Sequence, residues 1–333
     1  MRVYLYSGMQ KLIEKSGVGR AIYHQRYAAR QNGIDLAEGI ADADVVHINT
    51  VFPHSLIVAR EARKKGIPVV YHAHSTKEDF RNSYLGSNLF SGAFGQWIRV
   101  CYRQGNIIVT PTEYSKKLLH SYGLKQKIEV VSNGIDLSYY DRKLAHGDWF
   151  RKKYGYCEND KVILSVGLTI ARKGILDFVE LAKRMPEYQF IWFGETDLHF
   201  VFGQVKEAVE TKLSNLRFAG YAQKEELRDA YAGSDLFLFP SLEETEGIVV
   251  LEALAMKIPI LLRDIPVYYG WLPADRAVYK AIRITDFELK AREILEGKLP
   301  DLTEAGYRVV AQRDLELVGS RLKEIYQECL DTV

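Results

Sequence analysis

The chain predicts a two-domain α/β protein, each domain an open parallel sheet covered by helices, with the ligand crevices facing each other across a cleft. Three observations lead there. Short β-rich runs alternate with helical patterns, which argues for parallel layers joined by helical crossovers. The alternation occurs twice, and a polar stretch without periodicity at residues 141–147 separates the two series. A length of 333 residues suffices for two cores. Open α/β sheets place their crevices at the carboxyl ends of the strands, so two such domains can share one cleft.

In the first series, β-branched and aromatic runs predict strands at 2–6, 45–48, 69–72, 107–110 and 128–131. Helical spacing marks 19–31, 55–65, 87–102 and 115–122 between them. The second series predicts strands at 162–166, 190–193, 216–218, 236–239 and 258–261, with helices at 175–185, 203–213, 224–232, 248–256 and 286–295. The boundary is drawn at 143/144, giving domains of residues 1–143 and 144–313. The last helical pattern follows the completed second sheet. It is expected to pack back on the first domain, so residues 314–333 are grouped with it.

Composition is that of a soluble globular chain, 47% hydrophobic and 26% charged. No apolar run approaches the roughly 18 residues of a membrane span, and the amino terminus reads as a first strand, lacking the core of a signal peptide. Cys101, Cys157 and Cys329 are odd in number and scattered, with neither a disulfide framework nor zinc spacing. They suggest reduced thiols in a cytoplasmic protein. The net charge of +2 hides an asymmetry: residues 1–140 carry 18 Lys and Arg against 11 Asp and Glu, leaving 27 against 32 for the remainder. A basic half and an acidic half suit different partners. No nucleic-acid module accompanies the basic half, so that partner class is not expected.

The most informative stretch is Pro240-Ser-Leu-Glu-Glu-Thr-Glu-Gly-Ile-Val-Val-Leu-Glu-Ala-Leu254. Glu244 and Glu252 lie eight positions apart. Even on one helix that spacing means about 80° of rotation and about 12 Å of rise, too far for a shared metal or a close acid pair. Glu244 is expected before a helix and Glu252 along it, with the free N–H groups of Gly247 and Ile248 between them. A helix N-terminus attracts phosphate, and carboxylates on either side suit hydroxyl groups. The arrangement reads as a nucleotide-sugar pocket. Arg172-Lys173-Gly174 follow another strand, where two cations can neutralise a diphosphate. Gly194-Glu195 and Gly220-Tyr221 end further strands on the same edge. In the first series, Gly17 and Gly19 open a helix and permit close backbone approach to a ligand. His72 and His74 end the third strand on one face; each is a crevice residue or a satisfied core histidine, and further metal ligands are lacking nearby.

Taken together, these motifs resemble the retaining glycosyltransferases of the GT-B fold, the group called family four. The resemblance spans nearly the whole chain and includes Ser132-Asn-Gly-Ile-Asp136 before the linker. It implies that Arg172 and Lys173 grip the donor diphosphate, that Glu252 binds the ribose hydroxyls, and that Glu244 binds the transferred sugar beside the N–H groups of Gly247 and Ile248. His74 best matches the histidine facing the donor sugar, with His72 as its substitute; His74 and Glu244 are thus the catalytic candidates. Gly17 and Gly19 border the acceptor and the diphosphate. The family often carries an arginine where this chain has Leu168, and Arg172 is expected to supply that charge. The resemblance implies transfer with retention by front-side attack, without cofactor or metal, the leaving UDP being stabilised by cations and helix dipoles.

The segment from Lys77 to Arg103 sets Phe80, Tyr84, Leu85, Leu89, Phe90, Phe94, Trp97 and Ile98 among Arg81, Arg99 and Arg103. Lys116, Lys117, Lys125 and Lys127 add charge. Such a surface either packs its apolar side on the sheet or sits on anionic lipid. Three runs narrow the resemblance to the Gram-positive enzymes that build glycosyl-diacylglycerol anchors. They start at Tyr4, Tyr71 and Leu262, and end at Lys11, Ser83 and Tyr268. This narrower resemblance implies UDP-glucose or UDP-galactose as donor and monoglucosyl-diacylglycerol as acceptor, at the inner face of the cell membrane. The alternatives are addition of the first glucose to diacylglycerol, a soluble polysaccharide glycosyltransferase, and a scaffold subunit without turnover. Oligomeric state is not legible.

Overall fold

A computed structural model describes residues 1–9, 13, 14 and 16–332. Gln10 and Lys11, part of the run that begins at Tyr4, and Val333 of the carboxyl-terminal group lie outside the described residues.

The first sheet has six parallel strands: β1 (Arg2–Tyr6), β2 (Asp35–Leu36), β3 (Val45–Ile48), β4 (Val69–His72), β5 (Ile107–Thr110) and β6 (Lys127–Val130), in the order β2-β1-β3-β4-β5-β6. Its crossovers are α1 (Gly17–Gln31), α2 (Pro53–Lys64), α3 (Lys77–Phe80), α4 (Ser87–Tyr102) and α5 (Glu113–Ser121). β3, β4 and β5 are buried along their whole length, as expected of parallel strands covered on both faces.

The second sheet is also six-stranded and parallel: β7 (Val162–Val166), β8 (Gln189–Phe193), β9 (Leu216–Gly220), β10 (Leu236–Phe239), β11 (Ile260–Arg263) and β12 (Tyr279–Ala281), in the order β12-β11-β10-β7-β8-β9. Its helices are α6 (Gly147–Tyr154), α7 (Ile175–Arg184), α8 (Gly203–Glu210), α9 (Lys224–Gly233), α10 (Ile248–Ala255), α11 (Ile284–Leu295) and α12 (Thr303–Ala311). The order reverses beside β1 in the first sheet and between β7 and β10 in the second. Ligands bind at such switch points, and the loops after β7 and β10 are the ones that carry Arg172, Lys173 and Glu244.

The last helix, α13 (Leu315–Asp331), packs against α1 and over β3 and β4. Val318, Leu322, Ile325, Tyr326 and Cys329 join Val3, Leu5, Ala29, Val45 and Val70 in one apolar cluster. Each fully buried aliphatic side chain here contributes about 1.5–3 kcal/mol relative to exposure. Gly319 makes the approach possible: a β-carbon there would stand 2.5 Å from the Ala28 carbonyl oxygen. The expected return of this helix to the first sheet is therefore observed.

Five of these strands and α-helices are not expected from the sequence. β2 and β12 have two and three residues, too short to show a period of two. α3 is a single turn. α6 begins at the end of the polar stretch; only its Phe150 is buried, and it packs on α9 of the second sheet's layer. α12 begins without a side-chain cap, so the usual start signal is missing.

Candidate active site

The loop after β7 makes a turn of 3₁₀ helix, Ala171–Lys173, before α7 begins. Ile170 is buried beneath it and fixes its path. Arg172 and Lys173 thereby point to the loop after β10. The Lys173 ammonium bonds a Glu244 carboxylate oxygen and lies 5.5 Å over the Phe239 ring. Ser241 Oγ donates to the same Glu244 oxygen at 2.7 Å, and Arg172 Nη1 stands 3.8 Å from it. Burial alone would raise the Glu244 carboxyl; Lys173 and Arg172 outweigh burial and hold it below its usual range. Burial lowers Lys173, against the pull of Glu244.

Arg172 also reaches across to the first domain. Its Nη1 stands 2.8 Å from Asp79 Oδ1, its Nε donates to Ser83 Oγ at 3.0 Å, and its backbone N–H donates to the Asn82 carbonyl at 2.9 Å. Nη1 further donates to the Glu243 carbonyl at 2.7 Å. Burial raises Asp79 in spite of Arg172. Burial also pushes Glu243 up to about 7; the Tyr114 hydroxyl opposes this, while Asp79, Glu244 and Glu78 add to it. Leu168, where the family often has arginine, is instead packed on the apolar cluster around Trp192.

Gly247 takes φ +89°, a left-handed conformation that favours glycine, and starts α10 with no side-chain cap. In this uncapped first turn the Val250 amide donates to the Gly247 carbonyl at 2.9 Å; helix starts of this kind suit anions. Glu252 is 1% exposed on a helix that is otherwise apolar almost all round. The Tyr140 hydroxyl donates to its Oε1 at 2.6 Å and the Tyr231 hydroxyl to its Oε2 at 3.0 Å. Arg20 Nε lies 3.8 Å from Oε1. Burial works against the Arg20 charge, but Glu252 and the neighbouring tyrosines raise its pKa overall.

Arg20 links the glycine loop to this second carboxylate. Gly19 is needed for packing: a β-carbon would lie 2.3 Å from the Ile13 carbonyl oxygen. Gly17 has open space at the same point, so it is the glycine with room for a ligand. Glu246, fully buried, ties the domains together. It accepts from Ser132 Oγ at 2.6 Å and from the Asn133 backbone and side-chain amides at 2.8 Å each, with Arg313 Nε at 3.8 Å.

His74 Nε2 pairs with Asn49 Oδ1 at 2.9 Å, and its ring stacks on His72 with centroids 4.0 Å apart. Burial pushes His74 down to about 3, so it is neutral at ordinary pH. His72 is the deeper of the two: its Nδ1 faces Gln25 Nε2 at 2.9 Å and His47 Nε2 at 3.2 Å. His47 in turn meets the Tyr326 hydroxyl of α13 at 2.6 Å. Among the described residues, no group of three or more His, Cys, Asp or Glu could hold a metal.

The structure thus brings Arg172, Lys173 and Glu244 into one cluster and joins Glu252 to the glycine loop through Arg20. Asp79, Ser83, Arg20, Tyr140 and Tyr231 were not anticipated, because each acts across a long sequence separation. Glu246 lay within the acidic run already singled out, and that density of carboxylates was its signal.

Residues 10–139 match the profile of Glycosyltransferase Family 4, and residues 148–298 that of Glycosyl transferases group 1. The processive diacylglycerol alpha-glucosyltransferase of Acholeplasma laidlawii is 40% identical over 332 residues, 99% of each chain. The chain belongs to glycosyltransferase family 4. The alpha-galactosylglucosyldiacylglycerol synthase of Streptococcus pneumoniae is 26% identical, over 80% of this chain and 74% of its own. Anabaena HepE, solved with UDP and glucose, superposes with a TM-score of 0.76 at 15% identity, covering 98% and 99% of the two chains. Sucrose-phosphate synthase from Thermosynechococcus elongatus gives 0.70 at 16%, covering 94% and 78%. These structural likenesses show the GT-B fold in this family-4 glycosyltransferase.

Proposed function

We propose that this enzyme moves a glucosyl residue from UDP-glucose, with retention, to a diacylglycerol-based glycolipid, with monoglucosyl-diacylglycerol as the preferred acceptor. The observation that carries the reading is the 40% identity, sustained over 99% of both chains, to a processive diacylglycerol alpha-glucosyltransferase. That this relative is a processive diacylglycerol alpha-glucosyltransferase favours a second reading: the same cleft also adds the first glucose to diacylglycerol. UDP-galactose is the competing donor, in keeping with the galactosyl relative.

In this reading residues 144–313 hold the donor. Arg172 and Lys173 receive the diphosphate together with the first amides of α10, and Gly247 and Ile248 stand at that helix start. Glu252 takes the ribose hydroxyls, with Arg20 and the two tyrosines fixing its carboxylate. Glu244 orients the transferred hexose. Neutral His74 faces the sugar as a hydrogen-bonding partner and is unsuited to be a cation. Charge builds on the departing phosphate as the glycosidic bond breaks, and preorganised cations at that point lower the barrier. The acceptor hydroxyl attacks from the same face and passes its proton to the leaving phosphate.

Residues 1–143, with 314–333, take the acceptor. The carboxyl half of α4 packs inward through Ile98, Cys101 and Tyr102, while Phe80 stacks on Phe94 at 4.2 Å. Leu89 is 81% exposed, and Tyr84, Leu85 and Phe90 are exposed beside it. Arg81, Arg103, Lys117 and Lys125 are exposed in the same domain. Lys127 contributes less, because Glu129 and Glu328 pair with it. No helix among the described residues is long and apolar enough to cross a membrane. Insertion of the apolar tip into an anionic surface at the inner face of the membrane is the attachment this pattern supports.

The test is flotation with anionic vesicles, coupled to turnover of vesicle-borne acceptor. The double variant L89E/F90E should float poorly and lose most vesicle-dependent transfer. Equal flotation and equal turnover would remove the lipid surface from the reading.

A further inference from the structure

Asp79 has no part in the roles assigned above, yet its carboxylate lies 2.8 Å from Nη1 of Arg172. It comes from the opposite domain, on the turn of α3, which is held by the Asp79 amide donating to Thr76 Oγ1 at 3.0 Å. The whole segment behind it is docked across the cleft. Ser83 Oγ accepts from Arg172 Nε, the Asn82 carbonyl accepts from the Arg172 amide, and the Leu85 amide donates to the Phe200 carbonyl at 2.9 Å. The charges are already matched: two cations, Arg172 and Lys173, face two carboxylates, Asp79 and Glu244. A diphosphate arriving in this cluster brings further negative charge into a buried place, where an uncompensated anion is costly. Glu244 sits within the donor domain itself, bonded to Ser241 and Lys173. Asp79 is the carboxylate that can leave, because it is held by contacts that part when the domains or the 79–85 segment move.

We propose that Asp79 sets the donor affinity of this enzyme by occupying, on Arg172, the place a donor phosphate takes, so that binding of a nucleoside diphosphate displaces it and undocks residues 79–85 from the donor domain. The proposal rests on the reading of Arg172 as a diphosphate ligand. Burial already destabilises the Asp79 anion, in keeping with a contact that gives way to a stronger one.

The experiment is calorimetric titration of the full chain with UDP, without acceptor, for wild type, Asp79→Asn, Asp79→Glu and Arg172→Ala. Removing one negative charge beside the phosphates should tighten UDP binding in Asp79→Asn by about tenfold or more. Asp79→Glu, which keeps the charge, should bind UDP no more tightly than wild type. Arg172→Ala should bind UDP more weakly. If Arg172→Ala weakens binding while Asp79→Asn leaves it unchanged or weaker, the displacement is wrong and the diphosphate site stands. If Arg172→Ala leaves UDP affinity unchanged, the site reading fails and the displacement falls with it. Amide exchange on the wild type supplies an arm that needs no variant. Saturating UDP should speed exchange at the amides of Leu85 and Arg172, which span the two domains. Unchanged or slower exchange there overturns the proposal.

Discussion

At the scale of single residues, burial decides which groups can carry charge. His74 is pushed down to about 3, so it stays neutral from pH 5 to 8. It should act through a hydrogen bond and contribute no titration to the rate in that range. His74→Ala should lower kcat by about 10- to 100-fold with the pH profile unchanged in shape. A profile that loses an inflection on substitution would contradict a neutral imidazole. Glu243 is the group that should titrate. Its carboxyl, raised to about 7 by burial and by the carboxylates of Asp79, Glu244 and Glu78, is neutral below that pH and anionic above it. An added anion beside Arg172 repels a diphosphate, so UDP-glucose affinity should fall as pH rises through about 7. The diphosphate diester of UDP-glucose does not itself titrate there. In Glu243→Gln the dependence should flatten; titration of both proteins at pH 6 and 8 checks this. An undiminished pH dependence in the variant would assign the effect elsewhere.

At the scale of elements, most strands and helices were legible because parallel strands buried on both faces read as apolar runs: Val69–His72 and Leu236–Phe239 are examples. The loops that bring Arg172 and Lys173 to Glu244 were legible too, because Arg172-Lys173-Gly174 and the acidic run before Gly247 are local in sequence. What stayed hidden is pairwise and remote. Arg20 meets Glu252, Asp79 meets Arg172, and Tyr326 meets His47, each across long stretches of chain. No periodicity carries such information. The division of the Lys77–Arg103 segment was equally hidden, since its apolar residues look alike until Ile98 is seen buried and Leu89 exposed. The seating of α13 makes a separate prediction. Gly319→Val would drive a side chain into the Ala28 carbonyl, and overpacking of this kind costs about 1–3 kcal/mol. A thermal melt should show the loss; an unchanged midpoint would mean that α13 is not held in this register.

For the molecule as a whole, the two domains are joined by buried polar links. Glu246 is the centre of one, gathering Ser132, Asn133 and Arg313. Glu246→Ala leaves the buried Asn133 donors without their acceptor, a loss of about 1–3 kcal/mol, and should lower the unfolding midpoint. An unaltered midpoint would mean that this link is broken and remade in solution at no cost. The links through Asp79 and Asn82 meet Arg172 instead, and in the displacement proposed above they open when UDP binds. In the proposed reading the GT-B cleft separates its tasks: one half would supply fixed cations and carboxylates for a nucleotide sugar, and the other would present a basic, apolar surface to the acceptor. The central claim is therefore about a reaction between a soluble donor and a membrane-borne lipid. It is tested most directly by incubating the protein with labelled UDP-glucose and anionic vesicles containing monoglucosyl-diacylglycerol, then identifying the lipid product and its anomeric configuration. The expected result is labelled diglucosyl-diacylglycerol with a new α-linkage. A β-linked product, or label found only in free glucose or in water-soluble acceptors, would contradict it.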